Sequence, residues 1–175
     1  MVADVKRNCG SFFFSFVEDH PNGHDYFICG EDYQGQTIIE LDTGKRRDYI
    51  PPEAEKGHGF CWADYKFDRG SSILVVDGCF WACPYEFCFY DFSNPMGGWP
   101  ELETEECIYQ DEKWPEISLD GTIRCFETGS IDEETGINNK AGVERAIKTF
   151  HRDGNKLLFL GEWVSQQPLP ALITI

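Results

Sequence analysis

Basic residues are scarce. The 175-residue chain holds 15 Lys plus Arg against 31 Asp plus Glu, a formal net charge of −16. That balance excludes a nucleic-acid backbone or an anionic membrane as the main partner, because either would repel it. Long apolar runs are lacking as well. The stretch Phe12-Phe13-Phe14-Ser15-Phe16-Val17 is far too short to span a bilayer. It also lacks the extended apolar region and small-residue cleavage site of a signal peptide. A soluble, cytoplasmic protein is expected.

Catalytic signatures are missing too. There is no Gly-x-Ser-x-Gly elbow, phosphate-cradling glycine loop or dinucleotide fingerprint. Histidines number four: His20, His24, His58 and His151. His20 and His24 bracket a Pro-Asn-Gly turn and are expected at the surface. His58 stands between Gly57 and Gly59, which leave its ring accessible. Pairing it with Cys61 would set nucleophile and base three residues apart, whereas the two usually come from separate elements. No catalytic residue, cofactor or metal ligand is expected. Carboxylates are so abundant that pairs such as Asp64 and Asp77 prove little. A hydrolase using carboxylates or a metal in a central cleft stays as the competing class.

What is present is apolar and aromatic. Hydrophobic residues make up 41% and aromatics 15%, too many for a disordered chain. The length suits a single domain, residues 1–175, with a core large enough to need no staples. Eight cysteines (Cys9, Cys29, Cys61, Cys79, Cys83, Cys88, Cys107 and Cys125) mostly sit inside apolar runs such as Phe87-Cys88-Phe89. They are expected to be reduced core thiols that pack as small hydrophobes. Cys61, Cys79, Cys83 and His58 form a possible zinc set, but the usual Cys-x2-Cys pairing is absent. Packing is the preferred reading, and a Cys79–Cys83 disulfide is a further alternative.

An internal repeat organises the chain. Four segments share a Gly turn, a short apolar run and a second Gly: Gly23 to Gly30, Gly70 to Gly78, Gly121 to Gly129, and Gly154 to Gly161. Asn-Gly and Asp-Gly tolerate positive φ and favour tight hairpin turns. The runs are short and most are rich in β-branched or aromatic residues, so they predict buried strands. Flanking strands are expected at 60–67 and 146–151 before the second and fourth turns, and at 37–42 and 87–92 after the first two runs. Each unit then reads as a meander whose last strand ends in Asp. Residues 51–56 could supply one helical turn, 130–142 a polar loop, and 166–170 a departure from the sheet. The segment from Phe67 to Gly78 resembles the blade motifs of WD-type and related β-propellers. The resemblance runs loosely over residues 12–165, without Gly-His and Trp-Asp signatures in register. It implies an all-β fold of about four antiparallel meander repeats, propeller-like, with a β-sandwich as the alternative.

The charge is unevenly placed. Residues 58–120 carry a net −10, while 121–175 are nearly neutral at −1. The densest part holds Glu101, Glu103, Glu105, Glu106, Asp111 and Glu112 without a single base. A solvated surface loop is the simplest reading. Docking of a basic protein, or mimicry of nucleic-acid charge, is the second, and a divalent-cation site is the third. Phe80, Trp81 and Tyr85 lie in the connection before the 87–92 strand, and Trp99 directly precedes the acidic run. Aromatics dominate binding hot spots, although capping the core is the simpler role. The sequence thus points to a non-catalytic protein-binding module, an adaptor or inhibitor of a basic protein. Its expected surface combines Phe80, Trp81, Tyr85 and Trp99 with the six acids. A self-associating structural subunit is a further alternative.

Overall fold

The computed structural model describes residues 12–31, 35–49, 60–80, 83–106, 108, 113–128 and 145–165. These form three antiparallel sheets, and no helix occurs among the described residues. The first sheet is a meander of β1 (Phe12–Val17), β2 (Tyr26–Glu31), β3 (Gly35–Glu40) and β4 (Arg46–Tyr49). The second is β5 (Cys61–Asp68), β6 (Ile73–Cys79) and β7 (Glu86–Asp91). The third is β8 (Glu116–Ile117), β9 (Thr122–Thr128), β10 (Arg145–Asp153) and β11 (Lys156–Ser165), again in chain order. The all-β class and the antiparallel meanders are as expected. The described residues close neither a barrel nor a propeller.

The number of units differs from the sequence reading. The third and fourth Gly turns, Asp120-Gly121 and Asp153-Gly154, join β8 to β9 and β10 to β11 within one sheet. Four turns therefore make three sheets, not four repeats, which accounts for the short interval between the last two turns. Gly23, Gly121 and Gly154 take positive φ, as their turns require. In the Arg69-Gly70 turn that conformation falls to Ser72, at φ 56°. Asp68 supports the turn by accepting hydrogen bonds from the Ser71 amide and hydroxyl at 2.8 and 2.7 Å.

The middle sheet lies between the outer two. From its first face Trp62, Tyr65, Leu74, Val76, Cys88 and Tyr90 pack with Val17, Tyr26, Ile28 and Ile38 of the first sheet. From its second face Ile73, Val75, Phe87 and Phe89 pack with Ile123, Cys125, Phe150 and Leu157 of the third. This is why Ile73-Leu74-Val75-Val76 is continuously apolar: alternate side chains enter opposite cores, and the strand is buried from Ile73 through Gly78. Gly78 is needed there, since a Cβ would strike the Cys61 carbonyl on the facing strand.

His20 is a correction. It is buried, stacked on Phe67 at 5.0 Å, and its Nε2–H donates to the Phe92 carbonyl at 2.8 Å. Its Nδ1 accepts from the Asn22 amide at 3.2 Å, which matches a proton on Nε2, and the Phe92 bond ties the first sheet to the second. The helical turn at 51–56, the loop at 130–142 and the tail at 166–170 lie outside the described residues.

Candidate functional site

The acidic segment is held on both sides rather than lying free. After β7 the chain turns through Phe92–Trp99 and runs back along β7. The Asp91 amide donates to the Pro100 carbonyl at 2.8 Å, Leu102 to Phe89 at 2.7 Å, and Phe87 to Ile108 at 2.7 Å. On its other side the Glu103 amide donates to Asn155, and Leu157 donates to the Glu103 carbonyl at 2.8 Å. Residues 100–103 thus bridge the second sheet to the third, and Ile108 adds one further bond to β7. Leu102 and Ile108 are each 1% exposed and anchor the segment in the core, while Glu101, Glu103, Glu105 and Glu106 face solvent. The expectation of a solvated loop holds for those side chains but not for the backbone.

Between this segment and β7 lies a cavity of about 210 Å³. Phe87, Phe89, Leu102 and Ile108 give it an apolar lining, joined by Phe80, while Glu86, Glu101, Glu105 and Glu106 supply carboxyl groups. Burial raises the Glu86 carboxyl above its usual range. Cys88 also lines the cavity, and burial, then Glu101 and Glu86, push its thiol well up, so it is a poor nucleophile. Lys148 reaches Glu106 at 3.9 Å and sets one positive charge at that corner. The cavity therefore joins an apolar interior to a cluster of carboxylates, with no imidazole among the lining residues.

The expected surface is brought together in part. Phe80, Glu101, Glu105 and Glu106 line the cavity. Glu103 is exposed on the same segment but does not line it. Tyr85 is exposed nearby, with its phenol raised chiefly by Cys79, with which it shares a hydrogen bond. Trp99 belongs elsewhere: it is 1% exposed, packs on Trp62 and Phe92 at 5.5 and 5.3 Å, and donates to the Pro95 carbonyl at 3.1 Å. The hydrophobic pull of an indole with one satisfied N–H places it in the core, not on a rim. Trp81, Asp111, Glu112 and His58 lie outside the described residues. Glu86 and Cys88 were not anticipated. Their neighbours Phe87 and Phe89 read as core, and only the bonds to Pro100, Leu102 and Ile108 place a cavity beside them.

Many other carboxylates serve local structure. Asp91 accepts from the Ser93 amide at 2.9 Å and from Arg152, binding the second sheet to the third. Burial alone would raise its carboxyl, yet those bonds outweigh it and leave the pKa lowered. Asp120 accepts from Ser118 and from the Thr122 amide, which lower it to about 2. Asp64 and Asp77 are cross-strand partners beside a bulge in β5, and burial, then Asp64, raises Asp77 to about 6.

The cysteines Cys29, Cys61, Cys79, Cys83, Cys88 and Cys125 carry free thiols. Cys61 stands opposite Cys79 across β5 and β6, but Cys61, Cys79 and Cys83 do not converge as a three-donor set. The cluster of metal-type donors among the described residues is His24, Glu40 and Asp42, in the first sheet.

No family model matches the sequence. A protein of Acanthamoeba polyphaga mimivirus, described as uncharacterized protein R762, is 32% identical over 102 residues. The match covers 58% of this chain and 39% of that relative, so the chain spans well under half the relative's length. No helix among the described residues is long and apolar enough to cross a membrane.

Proposed function

We propose that the chain is a non-catalytic protein-binding module whose cavity beside residues 101–106 receives a lysine or arginine side chain of a basic partner. The observation that carries this reading is the union of an apolar interior with Glu86, Glu101, Glu105 and Glu106 in one concavity. Long cationic side chains bury an apolar stem while keeping the charged head among carboxylates. The exposed acids along the segment steer such a partner, and Phe80 and Tyr85 supply apolar contact. An adaptor or inhibitor acting in the cytoplasm is the corresponding role, with the three stacked meanders as successive blades of a propeller-like arrangement. The match of each sheet to one chain-order meander supports that architecture.

The test is the association rate of a fluorescent lysine-rich peptide. Replacing Glu101, Glu105 and Glu106 with Lys together should lower it at least about tenfold at low salt. Unchanged association would remove the proposal.

A second reading, self-association, is favoured by one observation. Leu158, Phe159 and Leu160 are consecutive, exposed by 44%, 45% and 61%, and lie on β11 at the edge of the third sheet. Such an edge invites strand pairing. Light scattering of the purified chain distinguishes the two: a concentration-dependent oligomer that Leu160→Lys dissolves supports self-association, and a monomer at all concentrations opposes it.

A further inference from the structure

The geometry points to a site for a divalent transition metal, of the zinc class, formed by His24, Glu40 and Asp42 at one end of the first sheet. Donor atoms of the three residues lie within 4.8 Å of one another. They arrive from both strands of one pair. Tyr26 stands opposite Glu40 in the β2–β3 register, so His24, just before β2, meets Glu40 and Asp42, at the end of β3. Both turns are pinned by their own backbone. Gly23 donates to the His20 carbonyl at 2.9 Å, the His24 amide donates to Asn22 Oδ1 at 3.2 Å, and Leu41 donates to the Asp25 carbonyl at 2.8 Å. Gly44 donates to the Glu40 carbonyl at 2.8 Å and Glu40 to that of Lys45 at 2.9 Å, which closes the second turn. The donors therefore sit on a preorganised frame rather than on free loops.

The orientation of the imidazole is the distinguishing feature. His24 Nδ1 is 2.9 Å from an Asp42 carboxylate oxygen, an arrangement that keeps the proton on Nδ1. Nε2 then offers its lone pair, and it faces Glu40 Oε2 at 4.0 Å. Tetrahedral zinc bonds of roughly 2.0–2.2 Å hold such a pair about 3.4 Å apart, so a small rotation of the Glu40 carboxylate toward the ring closes the site. A carboxylate holding the far nitrogen of a ligating histidine is the usual support for such a bond, and Asp42 fills that place with both oxygens, at 3.0 and 2.9 Å from Nδ1. Glu40 is 5% exposed, with Oε1 engaged by the Thr43 hydroxyl and Oε2 turned toward the imidazole and the Tyr26 hydroxyl at 3.4 Å. Lys45 is the competing cation, at 3.7 Å from Glu40 Oε1; its side chain is largely exposed and is free to swing into solvent. Imidazole with two carboxylates favours a borderline metal over calcium or magnesium, which prefer all-oxygen cages. Because His24 is only half-buried and Asp42 is exposed, at least one coordination position is left to water or to a partner's side chain.

Cobalt(II) titration of the full chain, followed by visible absorption, tests the site. Nitrogen and oxygen ligation gives visible bands without the near-ultraviolet charge transfer of a thiolate, which separates this site from the cysteines. One equivalent should bind in this way, and His24→Ala and Asp42→Asn should each weaken it about tenfold or more. If His24→Ala does not fold, Asp42→Asn, at an exposed position, decides the matter alone. Equal uptake and affinity in the wild type and in the folded variants overturns the site, and so does no uptake by the wild type.

Discussion

Strand β6 and the segment 100–106 lie in the same assembly of sheets and obey opposite rules. β6 is buried on both faces, and its side chains alternate between two cores. The segment beside β7 buries Leu102, with Ile108 buried just beyond it, and turns its glutamates to water. The central strand is apolar but for the buried Asp77, whereas the bridging segment needs only intermittent anchors and is free to carry charge. The chain thus keeps a rigid wall and a charged rim side by side, and the cavity lies where they meet.

The sharpest test of the contrast is at Trp99. Its place in the core predicts that Trp99→Ala costs roughly 3–5 kcal/mol in urea unfolding, as large core truncations do. A residue on a binding rim would change stability by less than about 0.5 kcal/mol. Within the acidic segment itself, Leu102→Ala should cost roughly 2–4 kcal/mol, and Glu103→Ala almost nothing. Equal effects at the two positions would show that the segment is not anchored through Leu102.

Asp77 probes the buried side of the comparison. Its pKa of about 6 lies above the value near 3.9 of an unfolded chain. A raised carboxyl favours the protonated folded state. The stability it gives is complete below about pH 4, falls as pH rises, and is lost above about pH 6. Asp77→Asn should therefore be more stable than the wild type at pH 7, by up to roughly 2 kcal/mol, with the advantage gone at pH 4. Parallel stability profiles for the two proteins between pH 4 and 7 would contradict this account.

The same contrast explains what the sequence could convey. Continuous apolar runs and Asn-Gly or Asp-Gly turns carry their own signals, so β2, β6, β9 and β11 were legible, as were the flanking strands β3, β5, β7 and β10. β4, with Arg46-Arg47-Asp48-Tyr49, has no apolar period because its pairing partner, not its composition, makes it a strand. The two-residue β8 and the bridging segment at 100–103 were hidden for the same reason. Grouping the third and fourth turns into one sheet depends on the pairing of β9 with β10, a contact between segments that no local motif encodes. Phe80 and three of the acids around the cavity were anticipated from composition. Trp99 was misplaced because an aromatic residue next to charge reads alike on a rim and in a core, until its neighbours are known.

The central claim is that this rim, and not net charge alone, receives a basic partner. The direct measurement is the dissociation constant of a lysine-rich peptide for two triple variants of equal net charge. One replaces Glu101, Glu105 and Glu106 with Lys, and the other replaces the exposed Glu18, Glu116 and Glu162. The account predicts about tenfold or greater weakening in the first and a small, salt-screened change in the second. Equal weakening in both would contradict it.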